Sequence, residues 1–153
     1  MYGYALKILS YQSLSTAELK KRLLERTHEE SLVNSVLDRL TSQGYLDDRR
    51  FIEGFVFSRR ESKHYGRKRI ELELRLKGLD SVLVGDMLEQ LYPADEDQLQ
   101  LRKNLEKKLK SLGPPMDAKK AARLYNYLIR RGFARDAAFR EIRRRFKEVD
   151  LTE

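Results

Sequence analysis

Along this chain the apolar side chains recur at helical spacing, and the intervals between them carry polar signals that start and stop helices. Ser15 with Glu18 and Thr27 with Glu30 have the spacing of capping boxes. In such a box a hydroxyl takes an orphan amide of the first turn and the glutamate reaches back to the cap, so each pair predicts a helix start. Gly44-Tyr45-Leu46-Asp47 reads as a stop and a start together, because glycine permits the left-handed residue that ends one helix and Asp47 can cap the next. Leu46 and Phe51 stand at staple spacing across that cap. The same grammar returns at Gly78-Leu79-Asp80, with Leu79 and Val84 as the staple, and in weaker form at Gly132-Phe133-Ala134, where alanine is a poor cap. These signals divide the chain into about nine helices.

The helices fall into a repeating register. Setting Gly78 on Gly132 superposes Ile70 on Leu124, Leu74 on Leu128, Val84 on Ala138 and Leu88 on Ile142, a period of 54 residues. A shift of 51 from the middle unit brings Leu19, Leu23, Val33 and Leu37 into the same positions. The expected fold is therefore all-α, an elongated array of three tandem three-helix repeats. Their expected bounds are 1–46, 47–93 and 95–147, followed by an acidic tail over 148–153. Tyr92-Pro93 marks the second boundary, and Gly113-Pro114-Pro115 is a turn inside the third unit. Three units in a row would form an arc of about 60 to 75 Å. Phe51, Phe55 and Val56 are core positions by their helical spacing, and Phe57, pointing away, is expected to pack on the first repeat or else to anchor a partner. One stretch resists the scheme: Ile70, Leu72, Leu74 and Leu76 alternate with charged residues as a strand would. The abundance of Glu, Leu, Arg and Lys favours a helix here. Such a helix would be apolar on two sides, which suits a central unit packed on both flanks.

Composition narrows the function classes. Of 153 residues, 41% are apolar and 37% charged, too apolar for disorder. No apolar run approaches the roughly 20 residues that span a bilayer, and Met1-Tyr2-Gly3-Tyr4 does not begin as a secretory leader, so a cytoplasmic protein is expected. The absence of cysteine removes disulfides and thiolate metal sites. The net charge of +8 is not evenly spread. Residues 49–77 hold ten basic and four acidic side chains, residues 119–147 hold eleven and two, and the remainder is net negative. That polarisation points to an acidic or polyanionic partner, with solvated helix faces as the alternative.

Catalytic signatures are missing. The chain has no nucleophile elbow, phosphate-cradling glycine loop or histidine-containing metal motif. Asp47 and Asp48 are adjacent carboxylates, but capping accounts for them better than catalysis. His28 and His64 fall near helix ends, where an imidazole commonly meets backbone groups. An enzyme is not expected. A helix-turn-helix reader of specific sequence is disfavoured, since its recognition helix in the first unit would start at Glu29-Glu30 and carry Asp38, which repel phosphates.

Gly44-Tyr45-Leu46-Asp47-Asp48-Arg49-Arg50-Phe51, then Arg59, Tyr65-Gly66-Arg67-Lys68-Arg69-Ile70, Glu73-Leu74 and Lys77-Gly78-Leu79 form an ordered motif. It resembles the signature core of the RecX family of regulators of the RecA recombinase. Ala5-Leu6, Leu9, Ser15 and Glu18-Leu19 are similar to that family's first repeat, whereas beyond about residue 95 the likeness rests on repeat architecture and basic charge. Gln12 replaces a commonly basic residue and Arg67 stands where proline is frequent. The resemblance implies a curved stack of repeats lying in the groove of a RecA filament on DNA, blocking strand exchange and filament growth, with no cofactor of its own. A monomer is expected; a protein that binds DNA without sequence preference is the alternative, and an adaptor protein a third. The candidate partner-binding residues are Arg59, Arg60, Lys63, Arg67, Lys68, Arg69, Lys77, Arg130, Arg131, Arg143 and Arg144. Arg67, Lys68 and Arg69 crowd a helix start, where the macrodipole disfavours cations, which argues for a function; Lys77, near a helix end, suits the dipole equally well. Arg143, Arg144 and Arg145 point in three directions around one helix, so only part of that cluster can face one surface.

Overall fold

The computed structural model describes residues 1–146 and contains, among them, nine helices and no strand. They are α1 (Tyr2–Tyr11), α2 (Thr16–Arg26), α3 (Glu30–Ser42), α4 (Asp48–Glu61), α5 (Arg67–Leu76), α6 (Ser81–Leu91), α7 (Ala94–Leu112), α8 (Ala118–Arg130) and α9 (Arg135–Arg145). The acidic tail expected over 148–153 lies outside the described residues. No helix among the described residues is long and apolar enough to cross a membrane.

Local chemistry explains most of the boundaries. Ser15 closes a full capping box: its Oγ accepts from the Glu18 amide at 3.2 Å while Glu18 Oε2 accepts from the Ser15 amide at 3.0 Å. The expected box at Thr27 and Glu30 does not form. Glu29 is the cap of α3, without a side-chain bond, and Thr27 Oγ1 instead accepts from the Glu29 amide at 3.3 Å. A threonine hydroxyl bonding two residues ahead makes a local turn that competes with the cap three residues ahead. Asp47 caps α4 through the Arg50 amide at 3.2 Å, and Asp80 caps α6 through the Leu83 amide at 3.0 Å. Gly44, Gly78 and Gly132 take the positive φ values of 78°, 80° and 101° that end the preceding helices. Ala134 caps α9 without a side-chain bond, as its chemistry requires. Gly113 ends α7 and the Pro114-Pro115 peptide is cis.

The twelve register positions are all buried. Leu19, Leu23 and Val33, Ile70, Leu74, Val84 and Leu88, and Leu124, Leu128, Ala138 and Ile142 have no exposed surface, and Leu37 is 6% exposed. The staples Leu46 with Phe51 and Leu79 with Val84 are buried as well. Two expectations are corrected. The alternating stretch is helix α5, but only Ile70 and Leu74 are buried; Leu72 and Leu76 are 57% and 79% exposed, so the second apolar side does not pack. A helix turns about 100° per residue, which places i and i+4 on one face and leaves i+2 opposite. Phe57 does not pack on the first repeat either, being 62% exposed.

The described residues group into two compact units, one of Met1–Phe55 with Glu73–Met87 and one of Val56–Leu72 with the described residues from Leu88. The first unit holds a core of Ala5, Leu14, Leu19, Leu23, Val33, Val36, Leu37, Leu40 and Leu46. The second holds Leu101, Leu105, Leu124, Leu128, Phe133, Ala138 and Ile142. Helices α4, α5 and α6 each contribute residues to both units.

Candidate functional site

Each unit contains a junction at which the glycine turn ending one helix meets the start of another. In the first unit the start is that of α2. Ser15 Oγ donates to the Lys77 carbonyl at 2.6 Å, and the Thr16 amide and hydroxyl both donate to Asp48 Oδ1, at 2.8 and 3.0 Å. Asp48 therefore satisfies an orphan amide of α2 and favours its dipole. Lys77 Nζ pairs with Glu18 Oε1 at 3.0 Å and lies 5.9 and 5.7 Å from the ring centres of Phe51 and Phe55. Any side chain at Gly78 would meet the Ala17 Cβ at 2.5 Å.

In the second unit the same roles fall to positions 49 to 54 residues on. The Gly66 amide donates to the Arg131 carbonyl at 2.7 Å, the Lys68 amide to the Gly132 carbonyl at 3.1 Å, and the Arg67 amide to Asp97 Oδ1 at 3.1 Å. Gly66 and Gly132 are pressed together so closely that a Cβ on Gly66 would stand 2.4 Å from the Gly132 carbonyl oxygen. Glycine is required by space at Gly66, and by space as well as by its φ of 101° at Gly132. Burial holds the Asp97 carboxyl above the usual carboxylate range, partly opposed by its bond from the Arg67 amide, and burial likewise raises the Tyr92 phenol. Tyr92 donates to the Tyr65 carbonyl at 2.9 Å.

This contact joins the middles of the two basic stretches. Lys63, Arg67, Lys68 and Arg69 from one, and Arg130 and Arg131 from the other, flank the paired glycines. Arg69 stands where Glu18 stands in the first unit, so a cation replaces the anion of that junction. The guanidinium carbons of Arg69 and Arg131 lie 3.8 and 4.9 Å from the centre of the Tyr65 ring. Arg69 Nη1 donates to the Arg130 carbonyl at 3.1 Å, and Arg131 donates to the Asn104 Oδ1 at 3.2 Å and to the Lys63 carbonyl. Arg69 and Arg131 are thus organisers, while Lys63, Lys68 and Arg130 present exposed side chains around them.

The other candidate residues are placed differently. Arg60 in the second unit has a largely covered side chain that donates to the Leu91 carbonyl at 2.8 Å and pairs with Glu61 at 3.0 Å, holding the end of α6. Arg59 is half-buried on the same helix. Lys77 belongs to the first unit and its pairing with Glu18 there accounts for it. Arg143 and Arg144 are exposed at the end of α9; Arg144 pairs with the buried Glu141 at 3.2 Å, and Arg143 lies 5.6 Å from the Phe139 ring centre. Asp47 caps its own helix, as its spacing implied, whereas Asp48 accepts from Thr16 at the start of α2, a tertiary role that spacing did not imply. Sequence reasoning missed Lys103, Asn104 and Lys107 on α7, which border the same turn. The only signal was a buried-side asparagine between lysines four apart, and one-dimensional spacing does not say what such a residue faces.

These features define an all-helical repeat protein with basic side chains gathered around the contact of Gly66 with Gly132. Family models agree segment by segment: the first, second and third three-helix domains of RecX match residues 2–40, 47–88 and 95–142. The chain belongs to the RecX family, a family of regulatory proteins with an all-helical repeat fold rather than of enzymes. It is 34% identical to the regulatory protein RecX of Mycolicibacterium smegmatis over 137 residues, covering 88% of this chain and 73% of that one. Identity to the Halorhodospira halophila protein is 35%, over 86% of this chain and 80% of the relative. The chain spans only 48% of the Oceanobacillus iheyensis protein, to which it is 32% identical. The crystal structure of RecX from Lactobacillus salivarius superposes with a TM-score of 0.82 over 95% of this chain and 94% of that one, at 23% identity, and shows the fold. The third domain, where the signature motif has faded, is matched as well.

Proposed function

We propose that this protein regulates the RecA recombinase by lying, as a row of repeats over 1–46, 47–93 and 95–147, in the groove of RecA filaments on DNA. Its main effect there is to inhibit strand exchange, ATP hydrolysis and coprotease activity. The observation that carries this reading is the convergence of both basic stretches on the Gly66–Gly132 contact, in a member of a family of regulatory proteins. Exposed Lys63, Lys68 and Arg130 around the preorganised Arg69 and Arg131 supply a positive surface for acidic loops of a partner. The protein acts as a monomer and brings no cofactor of its own. The runner-up, sequence-independent binding of single- or double-stranded DNA, draws on the same cations, since phosphates attract them equally.

Cosedimentation with RecA filaments on single-stranded DNA, beside the same DNA alone at two salt concentrations, separates the readings. Retention on filaments that exceeds retention on bare DNA at the higher salt supports the proposal; equal, salt-sensitive retention on both supports plain DNA binding. Reversing Lys63, Lys68 and Arg130 to glutamate should weaken inhibition of RecA-dependent ATP hydrolysis much more than reversing Lys20, Lys21 and Arg22. Equal loss from both sets in stably folded variants would mean diffuse attraction only.

A further inference from the structure

The second unit holds a small pocket that shares Arg131 with the contact surface above and is otherwise unused by it. It is bordered by His64, Lys103, Asn104, Lys107 and Arg131, has a volume of about 160 Å³, and has no acidic side chain among its described lining residues. Lys103 and Lys107 are four apart on α7 and so share one face, and both are exposed. Arg131 is fixed from two sides, by Asn104 Oδ1 at 3.2 Å and by the Lys63 carbonyl, and these bonds leave other N–H groups of the guanidinium to donate. The buried Asn104 in turn donates to the carbonyls of His64, at 3.0 Å, and Gln100, at 2.7 Å. His64 is thereby held at φ 55°, a left-handed conformation that strains a residue with a Cβ and is kept only where its surroundings enforce it.

From these observations we infer that the pocket is a binding site for a phosphoryl anion, with Lys103, Lys107 and Arg131 as its cationic donors and His64 as its rim. Size chooses the class of ligand. Sites for drug-sized organic molecules begin at about 300 Å³, so there is room here for one or two phosphoryl groups but not for a base and sugar as well. Chemistry agrees: a planar guanidinium fixed in place and two ammonium groups on one helix face suit a compact, multiply charged oxyanion. The phosphoryl group could be free or part of a nucleic-acid backbone. The site does not rest on the filament reading: it shares Arg131 with that surface, but its test reads Lys103 and Lys107, which take no part in the contact proposed there.

Calorimetric titration of the full chain with pyrophosphate at low salt, against chloride as reference, tests the inference. Saturable one-to-one binding is expected, weakened about tenfold or more in Lys103→Gln/Lys107→Gln and changed less than about twofold in Lys20→Gln/Lys21→Gln, with thermal melts confirming that both variants fold. A short oligothymidylate distinguishes the sources. If it binds through the same two lysines and is displaced by pyrophosphate, the pocket holds backbone phosphates; if the lysine pair affects pyrophosphate alone, it holds a free phosphoryl anion. Absence of saturable pyrophosphate binding, or equal weakening by both lysine pairs, would overturn the assignment.

Discussion

The two junctions are built on one plan and differ in charge. In both, an aspartate from the first turn of a neighbouring helix, Asp48 or Asp97, accepts the first amide of α2 or α5. In both, the carbonyl just before a left-handed glycine accepts a hydrogen bond from the residue before that helix, Ser15 Oγ to Lys77 or the Gly66 amide to Arg131. The first junction neutralises itself, since Lys77 meets Glu18. The second puts Arg69 in the place of Glu18 and gathers further cations around it. The same backbone plan thus carries an acid–base pair at one place and a group of arginines around Tyr65 at the other, and it is on the second that the proposed contact with a partner is drawn.

Glycine substitutions should break the comparison most sharply. Gly66→Ala drives a Cβ onto the Gly132 backbone and should cost about 3 kcal/mol or more by urea denaturation, because backbone atoms cannot step aside. Gly78→Ala meets the Ala17 Cβ, so Ala17→Gly in the same chain should recover part of its loss, whereas no side-chain deletion should rescue Gly66→Ala. Full rescue of both would show that the second junction is looser than its geometry implies.

Smaller losses should follow from the aspartates. Asp48→Ala and Asp97→Ala each leave a helix-start amide without its acceptor and should cost about 1 to 3 kcal/mol. Their pH dependence sharpens the contrast. Burial raises Asp97, so over a window upward from the ordinary carboxylate range the folded chain keeps a proton that the unfolded chain has lost. Wild type should accordingly gain stability relative to Asp97→Asn as pH falls through that window, and melts near neutrality and in weak acid would read it; an advantage that shrinks on acidification would contradict the burial argument. Ser15→Ala should cost about 1 kcal/mol through loss of the capping box. The smallest effect expected is that of Glu18→Gln on the partly exposed pair with Lys77, about half a kcal/mol and screened by salt.

Much of this protein is determined by the sequence alone, because helix starts and stops are local chemistry and burial follows a helical period. Asp47, Asp80 and the glycines at 44, 78 and 132 end or begin the helices they were expected to, and the register that relates Leu19, Ile70 and Leu124 picks out buried positions in all three groups. The resemblance of the signature core to RecX was legible for the same reason, since its residues lie close together in the chain. Local spacing reached its limit at Thr27, where one hydroxyl had two amides within reach, and at Leu72 and Leu76, whose apolarity could not reveal whether anything packs on them. The tertiary structure alone decided that Gly66 touches Gly132, that Arg69 and Arg131 share Tyr65, and that Lys103 and Lys107 border the same turn. Those pairings join residues some 40 to 70 positions apart, and which helix starts meet which glycine turns is settled by the packing of whole helices, a property that no local run of residues encodes.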